Sequence, residues 1–168
     1  MTRWLEILAL FVTGVCQAAL THGQPPPPPR EPLPLVRFRE GPTAFSSYSG
    51  LVDSLRTVVR DSAAWRDLWR QINRPFFPPP VLPPVDFTRE MVVVAALGSR
   101  PSAGFDVVIE GASADSDGIE VEVRRAIPAA GCPVAAAVTQ PVDLATLPAS
   151  ARTLRFRERS MVIPCVAP

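Results

Sequence analysis

The stretch "VDFTREMVVVAALGSRPSAGFDVVI", Val85 to Ile109, decides how the chain is read. Met91 to Leu97 is an unbroken apolar run, the character of a central strand covered on both faces. Asp86–Glu90 is its charged entry. Gly98–Ser99–Arg100–Pro101–Ser102–Ala103–Gly104 breaks the run. Phe105, Val107 and Ile109 then alternate with Asp106, Val108 and Glu110, the period of a second strand. Strand, loop, strand sets the theme, and the serine and arginine in the loop pose the functional question.

Outward from this pair the strand signals continue. Val36 and Phe38 alternate with arginines, Phe45–Ser49 reads as a short strand ended by Gly50, and Leu55, Thr57 and Val59 form another. Ala114–Gly118 is a turn, after which Ile119, Val121 and Val123 alternate with Glu120, Glu122 and Arg124. Val134–Thr139 is a weaker strand. Leu154 and Phe156 open a last one, which Met161–Ile163 continue. One segment changes period. Trp65, Leu68, Trp69 and Ile72 fall at i, i+3, i+4 and i+7, one face of a helix over about residues 62–72. Asp61 or Ser62 is its N-cap and Asn73–Arg74–Pro75 its end. The expected class is α+β: mainly antiparallel β-sheet, or a sandwich, with one amphipathic helix packed on it. The four apolar helix residues belong to the core.

Proline punctuates the chain. There are 21 prolines among 168 residues, well above the roughly 5% of ordinary usage. Gln24–Pro34 is a tract expected to be extended and to make no ladder bonds. Pro75–Pro84 is a second proline-dense loop, with Phe76, Phe77, Val81 and Leu82 available to pin it. The first residues read as a secretory signal: Arg3, then an apolar Leu5–Val15, then small residues at Ala18 and Ala19. The run is shorter than the ~20 residues of a membrane span. The expected organisation is a signal peptide over 1–19, a Pro-rich linker over 20–34 and a single β-rich domain over 35–168. The protein is then exported to periplasm, cell envelope or medium, with no integral membrane domain after cleavage. Acylation at Cys16 fits poorly, because Val15 stands where a small residue is wanted.

Export also fixes the cysteine arithmetic. Removal of Cys16 leaves Cys132 and Cys165, an even pair in an oxidising compartment, with no neighbouring Cys or His to make a metal site. A Cys132–Cys165 disulfide is expected, tying the C-terminal tail to the loop after Pro128.

The inventory of reactive groups is thin. All 17 basic residues are Arg, which excludes Schiff-base, Ser–Lys and Walker-lysine chemistry. The sole histidine, His22, lies in the linker, so the domain has no Ser–His or Cys–His dyad. Ser102 lacks both a base and a nucleophile-elbow pattern. Asp115–Ser116–Asp117–Gly118 opens like a calcium loop but lacks the later ligands and closing Glu. Glu120 and Glu122 read as a solvated strand face. No catalytic, cofactor or metal residues are assigned. The net charge of +1 gives no nucleic-acid surface.

Three stretches in order resemble the PrcB-type C-terminal domain of a protease-complex accessory subunit, from about Phe45 onward. They are "VVRDSAAWRDLWRQI" after Ser49–Gly50, "PPVDFTREMVVVAALGSRPSAGFDVVI", and "IPAAGCPVAAAVTQPVDLATLP" from Ile127 to Pro148. Ala103 stands where the family commonly has Gly. The resemblance implies an accessory role, binding or stabilising an extracytoplasmic protease, without catalysis. The contact residues expected are Arg100, Pro101, Ser102 and Gly104, beside the Pro78–Pro84 loop at one end of the sheet. The second reading is a cell-envelope protein that binds small molecules or polysaccharide through Phe76, Phe77, Trp65 and Trp69.

Overall fold

The computed structural model describes residues 29–38 and 47–165. The expected signal peptide and the first five residues of the proline tract, 24–28, lie outside them. Eight strands and one helix follow in the order β1 (Glu31–Pro32), β2 (Val36–Arg37), β3 (Leu55–Val59), α1 (Ser62–Ile72), β4 (Glu90–Ala96), β5 (Asp106–Asp115), β6 (Gly118–Pro128), β7 (Val142–Pro148) and β8 (Leu154–Ile163). They form two four-stranded sheets, ordered β1-β5-β6-β8 and β2-β7-β4-β3. Every pairing is antiparallel except β6 with β8, which is parallel over ten residue pairs from Ile119↔Leu154 to Pro128↔Ile163. The class is α+β, dominated by sheet.

β4 explains its own sequence. It lies between β7 and β3, and Met91 to Ala96 are all buried. Met91, Val93 and Ala95 share a cluster with Val107, Ile109, Val121, Val123, Ala145 and Leu147, so that cluster draws on both sheets. Val92, Val94 and Ala96 pack instead with Trp65, Leu68, Trp69 and Ile72 of α1. One face of the strand meets the other sheet and the other meets the helix. Both must therefore be apolar, which is why the run has no alternation. α1 begins where expected: the Asp61 side chain accepts from the N–H groups of Ala63 and Ala64 at 3.0 and 2.8 Å. Asn73 ends it, donating from Nδ2 to Trp69 O at 2.9 Å.

Several expectations change. Val134–Thr139 is not a strand; only an isolated bridge joins Arg100 to Thr139. The strand lies further on, at Val142–Pro148, where Pro141 no longer interrupts the ladder. Of the strand expected at Phe45–Ser49, the described residues 47–49 are irregular. The end of the proline tract does pair: Glu31 and Pro32 stand opposite Ala114 and Ser113, and Leu33 N–H donates to Ala112 O at 2.8 Å. This is a sheet edge, where a proline's missing N–H disrupts no inner ladder. Glu120 is not solvated. It is buried and ion-paired with Arg30, Arg155 and Arg157.

Candidate interaction site

The Gly98–Gly104 loop is built against two other segments. Gly98 takes φ +72°, and a Cβ there would stand 2.7 Å from Asp53 C and 2.8 Å from Val52 O. Glycine permits both the left-handed turn and the close approach. Ser99 N–H then donates to Val52 O at 2.9 Å. On the other side Arg100 exchanges both backbone bonds with Thr139, and Ala103 N–H donates to Ala135 O at 3.0 Å. Thr139 Oγ1 donates to Ser102 O at 3.0 Å. Gly104, at φ +90°, leads into β5.

These bonds divide the expected contact residues. Pro101 and Gly104 are exposed, while Arg100 and Ser102 are half-buried. The Ser102 hydroxyl is 3.1 Å from Ala103 O. Arg100 turns inward: its Nη2 donates to Leu97 O and lies 3.4 Å from Ser54 Oγ. There it lines a cleft of about 170 Å³ with Ser54, Leu55, Arg56, Leu97, Arg125 and Glu158.

The Pro78–Pro84 loop is fastened elsewhere, along the helix. Trp69 Nε1 donates to Pro80 O and Trp65 Nε1 to Pro83 O, each at 3.0 Å. Leu82 joins the helix cluster, but Phe77 and Val81 do not pin the loop; they are 99% and 90% exposed. Both tryptophans are buried, so the aromatic patch of the polysaccharide reading is reduced to Phe76 and Phe77.

Charge is concentrated on the other sheet. Asp115 closes the β5–β6 turn, accepting from the N–H groups of Asp117 and Gly118 at 2.9 and 3.1 Å. The backbone N–H of Asp117, then Arg155, Gly118 and Arg30, hold its carboxyl below the ordinary value of 3.8, outweighing burial. The segment is thus a hairpin turn whose Asp is used internally. At Glu120 burial pushes the pKa upward, but Arg30, Arg157 and Arg155 overcome it and the net shift is down. Asp86, at the entry to β4, is lowered by the hydroxyl and N–H of Thr88. Among the described residues no group of three or more His, Cys, Asp or Glu is placed to hold a metal ion.

Cys132 and Cys165 stand at disulfide distance, with Cα atoms 5.1 Å apart. They lie just past the end of the β6–β8 ladder, where Ala129 N–H also donates to Ile163 O at 2.9 Å.

Residues 91–148 match the family model described as PrcB C-terminal. The chain carries a PrcB C-terminal domain. The matched span runs from β4 through the Gly98–Gly104 loop, β5, β6 and the Cys132 loop to β7, leaving out α1 and β8. No curated protein matches the chain, and no solved structure does. Sequence reasoning missed Asp143 in this PrcB segment. It is buried, and its Oδ2 accepts from Ile109 N–H at 2.7 Å, beside the register shift between Ile109 and Gly111. An acidic residue between two apolar ones, Val142 and Leu144, was the available signal. Arg56 and Arg125 were also passed over, because a strand arginine ordinarily faces water.

Proposed function

We propose that this protein is an exported, non-catalytic accessory domain that binds and stabilises an extracytoplasmic protease. The observation that carries the reading is the PrcB C-terminal match over residues 91–148, since that family is one of protease-complex accessory domains. The absence of lysine, and of any histidine beyond His22, agrees with a role without catalysis. The Cys132–Cys165 pair is compatible with an oxidising compartment. Among the described residues no helix is long and apolar enough to cross a membrane.

The contact surface proposed is the exposed part of the Gly98–Gly104 loop, Pro101 and Gly104, with Arg100 and Ser102 behind it. A loop held on both sides by backbone bonds loses little entropy on docking. The test is capture from the producing cell's exported fraction by the tagged, oxidised chain, with bound proteins identified by mass spectrometry. A protease should be recovered, and its activity should survive heating longer with the chain than without it. Replacing Arg100 and Ser102 together by Ala should reduce capture at least tenfold. Failure to recover any protease reproducibly would retire the reading, and undiminished capture by the double variant would remove the loop from it.

A further inference from the structure

The cleft under Arg100 breaks the pattern of the strands that form it. On β6 the buried row Ile119, Val121, Val123 continues, two residues on, to Arg125. On β8 Leu154 and Phe156 pack on the core shared by the sheets, and the same row continues to Glu158. On β3 Val58 joins that core, and its neighbour in the row is Arg56. Three strands thus place charges at positions where period two calls for apolar side chains. All three charges line one cleft, with Arg100 as a fourth. Such local violations are expected where a site is built.

The charges do not balance. Three guanidiniums face one carboxylate, and among the described residues no other acid lines the cleft. Glu158 already shows what the cleft accepts. Its Oε1 is 2.7 Å from Arg56 Nε and its Oε2 is 3.4 Å from Arg125 Nη1. Among the described residues the Arg100 side chain bonds only Leu97 O and Ser54. The Nε atoms of Arg100 and Arg125 are buried and have no hydrogen-bond acceptor among the described residues. Buried donors left unpaired are costly, and charge-assisted pairing with a carboxylate or another oxyanion is the strongest way to satisfy guanidinium. The nearby Glu110 is already bonded to Arg124 and Arg159.

We infer that the cleft between Arg56, Arg100 and Arg125 is a receptor for a carboxylate, supplied either by an acidic residue of a polypeptide or by a small free acid. Glu158 is the internal competitor that tunes it. The inference does not depend on the protease reading, because it is tested on the isolated chain with small probes.

The experiment is an NMR titration of the arginine Nε–Hε signals of the full, oxidised, 15N-labelled protein. The probes are sodium acetate, the blocked tripeptide acetyl-Gly-Asp-Gly-amide, and its Asn counterpart. Acetate, the Asp peptide or both should shift the Arg100 and Arg125 signals saturably at millimolar concentration, and the Asn peptide should not. Preference for the peptide identifies a polypeptide source; equal response identifies a small acid. Arg125→Gln should weaken binding at least fivefold and Glu158→Gln should strengthen it. Arg56 is left intact because its Nη1 also bonds Leu55 O and Ala96 O. Arg70→Gln, on the far helix, should change nothing. Absence of a saturable shift, equal shifts at Arg70, or a response unaffected by both Arg125→Gln and Glu158→Gln would overturn the inference.

Discussion

Asp115 shows how much one side chain does in this fold. It closes the β5–β6 hairpin through two backbone N–H groups and lies 3.0 and 3.5 Å from Arg155 and Arg30. Arg155 comes from β8 and Arg30 from the residue before β1, so the carboxylate joins the turn to both ends of its sheet. Its pKa in the folded chain is below the ordinary 3.8. The unfolded chain therefore binds a proton first as pH falls. The stabilisation is fully present above the unfolded value and is lost as pH drops through the lower folded one. Glu120 and Asp86 are shifted in the same direction. Thermal melts should hold a plateau above about pH 5 and fall steeply below pH 4. Asp115→Asn should lower the plateau and shallow the acid limb. An acid limb as steep as in the parent chain would assign it to other carboxylates.

At the scale of elements, legibility followed burial geometry. α1 was readable because its buried face has one period, Trp65, Leu68, Trp69 and Ile72, and because Asp61 precedes it with free N–H groups to bond. β4 was readable because both its faces are covered. β7 was not. Its "VDLATLP" carries Asp143 at a buried position where an acid is tolerable because it accepts from the Ile109 N–H, and that partner lies on another sheet. Val134–Thr139 looked more like a strand, yet its residues serve the Gly98–Gly104 loop through Ala135 and Thr139. The arginine cleft escaped for a similar reason: alternation reveals which strand face a residue shares, but not which strands meet. The helix start offers a direct check. Asp61→Ala removes the acceptor for two N–H groups and should cost about 1 kcal/mol in denaturant unfolding. A loss within a few tenths would mean that packing of the two tryptophans alone holds the first turn.

For the whole molecule the controlling feature is the parallel pairing of β6 and β8. A parallel partner cannot be reached by a hairpin. Here the chain leaves β6, crosses to the other sheet as β7, and returns to start β8 beside the start of β6. β8 is then an edge strand, exposed along most of its length, and its arginines and Glu158 discourage further pairing. The ladder runs from Ile119↔Leu154 to Pro128↔Ile163, and Cys132 and Cys165 stand beyond its far end, 33 residues apart in sequence. Closing a loop of that length restricts the unfolded chain by on the order of 3–4 kcal/mol in the chain-entropy model. The Cys132→Ser/Cys165→Ser double variant should therefore unfold at clearly lower denaturant concentration than the oxidised parent, and the reduced parent should behave like the variant. Loss should begin at β8. Amide exchange of Met161, Val162 and Ile163 should accelerate more than that of β4, whose residues sit at the centre of the other sheet. Uniform acceleration across both sheets would show that β8 unfolds only with the whole molecule. Unchanged stability in the variant would show that the β6–β8 ladder and the Ala129–Ile163 bond hold the strand without the cysteine link.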